Sequence, residues 1–514
     1  MTRLQRMPDI DARVARLAAR PRARVIALLL AGAFAALGQA PFLIWAATLL
    51  GLLAAFLMWR HSPSPRAAAL QGWLFGLGYF TVTMSWLVNP FFVEPDRHGW
   101  MAPFALLGMA GGLALLWALG WGAARWLSGA DNRLSWVVWP TGISAAELLR
   151  GSLFTGFPWG GPGLAWVETP MALLARLIGV SGLTFLTALW VAVLAVALIG
   201  RNRRNVAGVV GLTLGLGLAT VLSPTSMPND TRHTLRLIQP NAPQHQKWDP
   251  DYAEGFVRRQ LDLTATPSDG ARPNLIIWPE TSVPYLLQHA QLLFPLVAEA
   301  AAGPPVLMGI QRGEGQRYFN SLVRVTPDGI AHPVYDKHHL VPFGEYVPLG
   351  DAMARFGIRA FASQYGQGYS SGPGPRVLDM GTLGDVLPLI CYEAVFPRDI
   401  RNAPKRPDWI LQATNDAWFG GFSGPQQHLI QARFRAIEFG LPVIRVANTG
   451  ISAAIDVNGT VRSSLGLGQA GYLDTRLPGA ASATVYARMG DYPLGLLLIC
   501  VVFVTILRRV RFSH

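Results

Sequence analysis

The chain has 514 residues, of which 51% are hydrophobic and only 14% are charged, and its formal net charge is +13. This composition excludes a disordered or fibrous protein and disfavours a wholly soluble one, because soluble domains usually carry about a quarter charged residues. The low charge density also disfavours a nucleic-acid-binding protein, in which basic residues cluster on a polar chain. Two cysteines are too few for a disulfide framework.

The first 222 residues are nearly continuous apolar sequence, broken by short polar or Pro/Gly segments. Because about 20 apolar residues suffice to cross a bilayer, we predict a polytopic helical membrane bundle. Seven helices are predicted, near residues 25–40, 41–59, 69–93, 102–127, 134–150, 171–199 and 206–222. An eighth is predicted near 494–507. The fifth has the weakest pattern because it contains Glu147 and Arg150.

The arginines indicate how these helices are oriented. With the N-terminus inside, the basic tail 1–24 and alternate loops carry most of the arginines, the distribution typical of cytoplasmic segments. Residues 1–222 and 493–514 together hold 20 Lys+Arg against 7 Asp+Glu, whereas residues 223–492 hold 23 of each sign. The net charge therefore reflects membrane topology. Both termini are expected in the cytoplasm and residues 223–492 on the opposite side of the membrane.

Residues 223–492 are predicted to form an α/β domain, joined to the membrane part by a Pro-rich linker at 223–228. Strands are expected at Leu235–Gln239, Leu275–Trp278, Val306–Ile310, Val386–Ile390, Trp409–Ala413 and Val443–Ala447. Helices are expected at 251–263, 286–302 and 425–439. The turn sequences at 326–329 and 457–459 predict hairpins.

Three residues of this domain are candidates for catalysis, and the first is Cys391. It directly follows an apolar strand, where a thiolate could face a cleft, although a lone cysteine is more often buried and inert. Glu280 follows another strand, and partial burial would suit a general base; the alternative is an exposed loop acid. Cys500 lies within the last apolar helix and is expected to be inert.

The third candidate is Lys337, one of only three lysines in an arginine-rich chain. A lysine retained in such a chain suggests a compact charge that could stabilise an oxyanion, although chance is the alternative. The adjacent His338 and His339 lack the spaced partners of a metal motif, so we expect no metal and no other cofactor.

Taken together, Glu280, Lys337 and Cys391, with their order, spacing and flanks, resemble the Glu-Lys-Cys triad of the carbon–nitrogen hydrolase (nitrilase) superfamily. Further segments match that pattern: Pro342–Tyr346, Asn415–Phe419 and Arg433–Glu438. The resemblance implies an α-β-β-α sandwich. The helices around the domain, with Gln244–Trp248 and Tyr392-Glu393, resemble the apolipoprotein N-acyltransferase family, the membrane-bound branch of this superfamily.

This second resemblance implies acyl transfer from a phospholipid to the α-amino group of the diacylglyceryl-cysteine of an apolipoprotein, through a Cys391 thioester. Glu280 would be the base, and Lys337 would stabilise the thiolate and, with the backbone N–H of Tyr392, the oxyanion. Glu345 and Glu393 would support them. The family also implies a monomer in the bacterial inner membrane, with the catalytic domain in the periplasm.

Aromatic residues are expected to meet the lipid substrates, or otherwise to pack as ordinary surface or core. Trp248 could line the entry, and the segments Phe356–Tyr369 and Trp418–Phe422, which include Trp418 and Phe419, are candidate lids.

Two other functions remain open at the level of sequence. A membrane-tethered amidase or nitrilase would keep the triad but use water to hydrolyse a small substrate. A transporter with an accessory domain would need functional charges within its helices, of which Glu147 is the main candidate.

Overall fold

The structure is a computed structural model that describes residues 10–129, 132–200, 203–223, 228–268, 270–348 and 368–511. It divides into two compact units. The helical unit contains the described residues of Met1–Val88, Trp100–Pro224 and Thr484–His514, and the α/β unit contains those of Asn89–Gly99 and Thr225–Ala483. Residues 224–227 of the expected linker lie outside the described part of the chain.

The described residues form fifteen α-helices. In chain order they are α1 (Ile10–Ala19), α2 (Pro21–Ala35), α3 (Trp45–Arg60), α4 (Pro65–Thr83), α5 (Pro95–His98), α6 (Ala102–Ser128), α7 (Ser135–Arg150), α8 (Ala175–Gly200), α9 (Arg203–Leu222), α10 (Pro250–Ala265), α11 (Leu293–Ala301), α12 (Pro397–Arg401), α13 (Gly424–Phe439), α14 (Val485–Met489) and α15 (Tyr492–Arg511). Helices α5 and α10–α13 belong to the α/β unit, and the others to the helical unit.

A helix is present at each of the eight places predicted from the apolar runs, but two boundaries were wrong. The second helix begins at Trp45 rather than at 41. The third ends at Thr83, and the chain continues as 3₁₀ turns over Ser85–Phe92. Those turns contain Pro90, which has no N–H to donate to an α-helical hydrogen bond.

Within the described residues, five helical segments are long and apolar enough to cross a membrane. They are Pro21–Gly38, Pro95–Ser128, Pro170–Gly200, Arg203–Leu222 and Tyr492–Val510. Helix α3 is apolar but has only 16 residues, and α4 and α7 do not qualify. Helix α7 carries both Glu147 and Arg150, which lower its mean hydropathy. The bundle therefore combines five membrane-length segments with shorter apolar helices.

Glycines allow the helices of this unit to approach closely. A Cβ atom on Gly142 would lie 2.3 Å from the carbonyl oxygen of Gly120, and a Cβ on Gly120 would meet the carbonyl of Gly142 at the same distance. A Cβ on Gly78 would lie 2.1 Å from the carbonyl oxygen of Leu29. Helices α6 and α7, and likewise α2 and α4, are thus in backbone contact, which is the usual packing of apolar helices.

The charges that weakened the prediction for the fifth helix form a buried ion pair. Arg150 Nη2 lies 2.5 Å from Glu147 Oε2, and Trp117 Nε1 donates to Glu147 Oε1 at 2.7 Å. Arg150 Nη1 also donates to the carbonyl of Trp159 at 2.7 Å. Because both charges have partners inside the unit, the pair can be buried among apolar helices, and its place in the structure favours a packing role over transport.

The α/β unit contains two six-stranded sheets. The strands are β1 (Thr234–Gln239), β2 (Leu275–Ile277), β3 (Val306–Glu314), β4 (Arg317–Val325), β5 (Ala331–Asp336), β6 (Leu378–Asp379), β7 (Asp385–Ile390), β8 (Trp409–Thr414), β9 (Val443–Ala447), β10 (Ser452–Ile455), β11 (Val461–Leu465) and β12 (Gly471–Arg476). The first sheet has the order β12-β1-β2-β3-β4-β5, and the second has the order β11-β10-β9-β8-β7-β6.

The sheets pack face to face, because alternate side chains of each strand point to opposite sides. On one face Leu235, Ile277 and Leu307 join Ile390 and Leu411 of the second sheet in one buried cluster. The opposite face of the first sheet packs against α10 and α11, and α13 contacts β9 and β10 of the second. The predicted α-β-β-α sandwich is confirmed.

Most local predictions for this domain agree with the structure. The six predicted strands are β1, β2, β3, β7, β8 and β9, and the two predicted turns join the antiparallel pairs β4–β5 and β10–β11. The helix predicted at 286–302 is shorter than expected: α11 begins at Leu293, after a 3₁₀ turn at Leu287–His289.

Candidate active site

Glu280 lies directly beyond the carboxyl end of β2, in a turn that brings its side chain inside the domain. It is only 6% exposed. Its Oε1 accepts a hydrogen bond from Asn320 Nδ2 at 2.7 Å, and its Oε2 accepts one from the backbone N–H of Asn415 at 2.8 Å. Both carboxylate oxygens are therefore fixed, which excludes the exposed loop acid that the sequence left open.

Lys337 follows β5 and is 1% exposed. Its Nζ donates to Glu345 Oε1 at 2.8 Å and to Glu280 Oε1 at 3.5 Å. Burial alone would lower the pKa of Lys337, but the charges of Glu345 and Glu280 outweigh it and raise this pKa above its ordinary value. The side chain is therefore an ammonium ion throughout the neutral range.

Asn320 and Glu345 complete the group around the lysine. Asn320, on β4, is 2% exposed, and its Nδ2 also lies 3.3 Å from Glu345 Oε1. Glu345 Oε2 accepts from the backbone N–H of Val341 at 2.9 Å. One amide and one ammonium group thus hold two carboxylates, and burial together with Glu280 raises the pKa of Glu345 despite the opposing effect of Lys337.

Cys391 follows β7 and begins a short 3₁₀ helix, Cys391–Val395. Its φ is +53°, a left-handed conformation that non-glycine residues rarely adopt and that occurs preferentially at functional sites. Burial and the charge of Glu280 raise the pKa of the thiol well above its ordinary value, and the opposing effect of Lys337 is smaller. The thiol is therefore protonated at neutral pH. It lies close enough to Glu280 and Lys337 for their charges to shift its pKa.

Glu393 connects the loop that follows β7 to the loop that follows β5. It is fully buried, and its Oε2 accepts from the backbone N–H of Ile390 at 2.6 Å. Its Oε1 accepts from the N–H of His338 at 2.8 Å and of His339 at 3.1 Å. The carboxylate therefore ties the segment that carries Lys337 to the segment that carries Cys391.

Tyr392 packs beside this connection. It is 5% exposed, and its ring makes edge contacts with His339, at 5.7 Å between centroids, and with Phe396, at 4.9 Å. His339 in turn lies with its Nδ1 2.9 Å from Asp399 Oδ2. The two histidines that raised the question of a metal thus contact carboxylates and aromatic rings of their own domain.

The predicted entry segment, Gln244–Trp248, contacts the turn that carries Glu280. Lys247 is 3% exposed, and its Nζ donates to the carbonyl of Glu280 at 3.3 Å and to Thr281 Oγ1 at 3.1 Å. The half-buried ring of Trp248 lies 5.4 Å from the same Nζ. Gln244 Oε1 accepts from Asn415 Nδ2 at 2.8 Å. This segment therefore contacts the backbone of Glu280, the side chain of Thr281 and the side chain of Asn415.

A cavity of about 310 Å³ opens beside Gln244 within the α/β unit. Its lining is neutral except for one histidine: Asn89, Phe92, Val93, Pro243, Gln244, His245, Ala417, Gly420, Gly421, Thr449, Leu467 and Gly468. Gln244 and Asn415 connect this cavity to the Glu280 carboxylate through hydrogen bonds.

The two candidate lids differ in what the structure describes. Residues 356–367 of the first lie outside the described part of the chain. In the second, Trp418 is half-buried, and Phe419 packs edge-on against His428, with 5.6 Å between ring centroids. Phe422 is 55% exposed.

Asn320 and His428, which contact candidate catalytic residues, were not found by sequence reasoning. Lys247, whose Nζ donates to the carbonyl of Glu280, lies in the matched segment Gln244–Trp248 but was given no role of its own. A polar residue within an apolar strand, as Asn320 is between Phe319 and Leu322, was an available signal. His428 gave no comparable pattern.

Comparisons with known proteins agree with this architecture. The family model for carbon–nitrogen hydrolases matches residues 235–484, and the model described as the apolipoprotein N-acyltransferase N-terminal domain matches residues 31–194. A solved carbon–nitrogen hydrolase superfamily protein from Xanthomonas campestris is 21% identical, covers 51% of this chain and 96% of its own, and has a TM-score of 0.33. The family model and the two-sheet fold define a carbon–nitrogen hydrolase domain, in a chain that also contains an apolar helical unit.

Full-length relatives identify the branch. An apolipoprotein N-acyltransferase of Rhodopseudomonas palustris is 38% identical over 95% of both chains, and one of Bradyrhizobium diazoefficiens is 38% identical over 96% of both. The chain belongs to the apolipoprotein N-acyltransferase family.

Proposed function

We propose that this protein transfers a fatty acyl chain from a phospholipid to the α-amino group of the diacylglyceryl-cysteine of apolipoproteins. The names of its relatives, apolipoprotein N-acyltransferases, support N-acylation of an apolipoprotein. The observation that carries the proposal is a buried acid–ammonium–thiol group. Glu280, Lys337 and Cys391 follow β2, β5 and β7, within a carbon–nitrogen hydrolase domain whose chain continues into apolar helices. A lipid-modifying acyltransferase requires both parts.

In the first step, Cys391 Sγ attacks the ester carbonyl of the phospholipid while Glu280 accepts the thiol proton. The raised pKa of Cys391 supports the need for a base, because little thiolate exists before the substrate binds. The tetrahedral intermediate expels the glycerol oxygen, which takes the proton from Glu280. The products are a thioester on Cys391 and a lysophospholipid.

In the second step, the α-amine of the apolipoprotein attacks the thioester. Glu280 accepts a proton from the amine and returns it to the departing sulfur, which restores the Cys391 thiol. A thioester is more reactive towards an amine than the ester from which it came, so the amide forms in a favourable reaction. Glu280 returns to the carboxylate form after each step, and Cys391 returns to the thiol form after the second.

Lys337 stabilises the oxyanion of both steps, together with the backbone N–H of Tyr392. Its ammonium charge in the neutral range and its fixed position against Glu345 support this role. Glu393 supports both reacting segments by holding the backbone N–H groups of Ile390 and His338. The reaction as written needs neither a metal nor another cofactor.

The proposed location is the bacterial inner membrane, with both termini in the cytoplasm and the catalytic domain in the periplasm. The concentration of arginine in the tail and in alternate loops supports this orientation. Trp248, Trp418 and Phe419 are proposed to contact the acyl chains, and the protein is proposed to act as a monomer.

The decisive experiment incubates purified protein with a phospholipid and a synthetic diacylated lipopeptide, followed by mass spectrometry of the peptide. We expect a peptide heavier by one acyl chain, joined through an amide. Free fatty acid with an unmodified peptide would instead indicate hydrolysis, the reaction of a membrane-tethered amidase or nitrilase, and would refute the proposal.

The nucleophile is tested separately by intact-mass analysis of the protein after incubation with phospholipid alone. Cys391→Ala should abolish the acyl adduct and leave the protein folded. The matched control is Cys500→Ala, since Cys500 is exposed on α15 and should not affect the adduct. Adduct that persists in Cys391→Ala would show that another residue is acylated.

A further inference from the structure

A second buried group of charges contacts the backbone of Cys391, where His428 Nε2 lies 3.2 Å from the carbonyl oxygen. Asp416 and His428 are both 0% exposed, and His428 Nδ1 lies 2.9 Å from Asp416 Oδ1. Arg445, also 0% exposed, donates to Asp416 Oδ2. These residues come from three elements, the segment after β8, helix α13 and strand β9. None of them has a part in the proposed reaction.

The protonation of this group follows from its contacts. Burial alone would raise the pKa of Asp416, but Arg445 and His428 lower it to about 2. Asp416 is therefore a carboxylate that can only accept, so His428 Nδ1 carries the proton between them. Burial and the neighbouring charge of Arg445 lower the pKa of His428, which favours the neutral ring. With the one proton of that ring on Nδ1, Nε2 can only accept, and it lies 2.8 Å from Gln412 Nε2 and 3.2 Å from the carbonyl oxygen of Cys391.

The unprotonated Nε2 then sets the orientation of a second side chain. Gln412 Nε2 lies 2.8 Å from His428 Nε2 and 3.3 Å from the carbonyl oxygen of Cys391. One of its two hydrogens is donated to the imidazole, so the other is directed to the Cys391 carbonyl. Gln412 is fully buried on β8 and is held in this orientation by the ring.

Strand β8 also contributes Thr414 to the same group. Thr414 Oγ1 donates to Asp416 Oδ1 at 3.1 Å. Cys391 is thus held at its carbonyl through Gln412, which lies on the same strand. A residue with a φ of +53° needs such restraint, because the left-handed conformation is disfavoured without it.

We infer that His428 is a positioning residue: supported by Asp416, it orients Gln412 so that the Cys391 carbonyl is held and the sulfur stays in the attacking position. The inference rests on the proposed function only in taking Cys391 as the nucleophile. The orientation of Gln412 requires a hydrogen-bond acceptor at the position of His428 Nε2. The contact of Nδ1 with Asp416 keeps the proton of the ring on Nδ1, so that Nε2 can accept.

Two substitutions separate these contacts. His428→Gln places an amide oxygen near the position of Nε2, where it can accept from Gln412, whereas His428→Asn reaches only the position of Nδ1 and Asp416. His428→Leu removes both contacts. The matched controls are the same substitutions at His332, which is exposed on β5.

The measurement is the burst of p-nitrophenolate from p-nitrophenyl butyrate, together with phospholipid acylation, in a Cys500→Ser background. We expect His428→Leu and His428→Asn to lower the acylation rate constant on the order of 10²-fold, as misplacement of a reacting group by about 1 Å does. KM should change less than about twofold, and His428→Gln should recover most of the rate. Gln412→Glu, which cannot donate, should match His428→Leu.

Recovery by asparagine rather than glutamine would overturn the inference, because it would make the contact with Asp416 the one that matters. A rate within about twofold of wild type in Gln412→Glu would overturn it as well. If p-nitrophenyl butyrate acylates Cys391 but phospholipid does not, the proposed function is refuted. The rates of the variants with the chromogenic ester then still test the positioning role of His428. If neither compound acylates Cys391, the proposed function and the positioning role are both refuted.

Discussion

Lys337 is surrounded so closely that its shape matters as much as its charge. Its Nζ contacts Glu345 and Glu280, and 1% of the residue is exposed. We expect Lys337→Arg to lower acyl-enzyme formation on the order of 10²-fold, because the larger planar guanidinium cannot replace an ammonium in this space. Intact-mass kinetics measures the change.

Lys405→Arg is the control for that substitution. Lys405 is mostly exposed and forms an ion pair with Asp385 at 2.7 Å, a contact that arginine can also make. Acyl-enzyme formation in Lys405→Arg should be as fast as in wild type. Near-normal acylation in Lys337→Arg would show that charge alone suffices and would contradict the proposed fit.

Lys247 provides a test of pH dependence. Burial lowers its pKa from 10.5 to about 8, so between these values the unfolded chain binds more protons than the folded one. The contribution of Lys247 to the free energy of unfolding must then rise as the pH rises from about 8 to 10.5, by about 3 kcal/mol at most. The Tm of wild type minus that of Lys247→Met should increase by a few degrees from pH 8 to pH 10.5.

Scanning fluorimetry of the detergent-solubilised protein measures this difference. Lys405→Met is the control: Asp385 raises the pKa of Lys405, so its contribution cannot grow as pH rises. A constant difference between wild type and Lys247→Met would mean that Lys247 keeps an ordinary pKa in the folded protein.

The three candidate catalytic residues could be proposed from sequence because each lies in a distinctive local segment. The family resemblance also indicated Glu345, Tyr392 and Glu393 as supporting residues. Asn320 and His428 could not be proposed, because they contact Glu280 and Cys391 from the distant elements β4 and α13. Such contacts join residues 37 to 40 positions apart through the sandwich. The catalytic roles themselves remain predictions until the variants are measured.

Among the elements, strand β3 shapes the turn that carries Glu280. Gly309 donates its N–H to the carbonyl of Pro279 at 3.2 Å, and a Cβ on it would lie 2.4 Å from that carbonyl oxygen. We expect Gly309→Ala to displace the Glu280 turn and to lower acylation by about tenfold or more, with a fall in Tm. Acylation rates and Tm are measured together.

Gly313 on the same strand is the matched control. A Cβ there would meet only the amide end of the Gln288 side chain, at 2.8 Å, and that side chain can move. Gly313→Ala should therefore have little effect. Equal effects of the two substitutions would locate the constraint in the strand as a whole and not in the turn.

The predicted strands were those with uninterrupted apolar runs, and they form the centres of both sheets. The edge strands were missed as strands because their side chains are more polar and half-buried. Strand β12 pairs antiparallel with β1, with Arg476 opposite Thr234, across more than 200 residues of chain. Local patterns carry no information on such a pairing.

For the whole molecule, the distribution of arginine predicts which segments face the cytoplasm. An exposed cysteine introduced as Gln316→Cys, in a Cys391→Ala, Cys500→Ala background, should react with a membrane-impermeant maleimide in cells whose outer membrane has been permeabilised. Arg20→Cys in the same background should react only after the inner membrane is lysed. The reverse pattern would invert the proposed topology.

The sequence by itself determined the division into an apolar helical part and a neutral α/β part, because hydropathy and charge are sums over local residues. It also indicated the three candidate residues, since Glu280 and Cys391 follow predicted apolar strands and Lys337 is one of only three lysines. Only the tertiary structure decided that Glu147 and Arg150 form a buried ion pair, and that Asn320 and His428 contact Glu280 and Cys391. Ion pairs and buried hydrogen bonds depend on distances of a few ångströms between remote residues, and these exist only once the chain has folded.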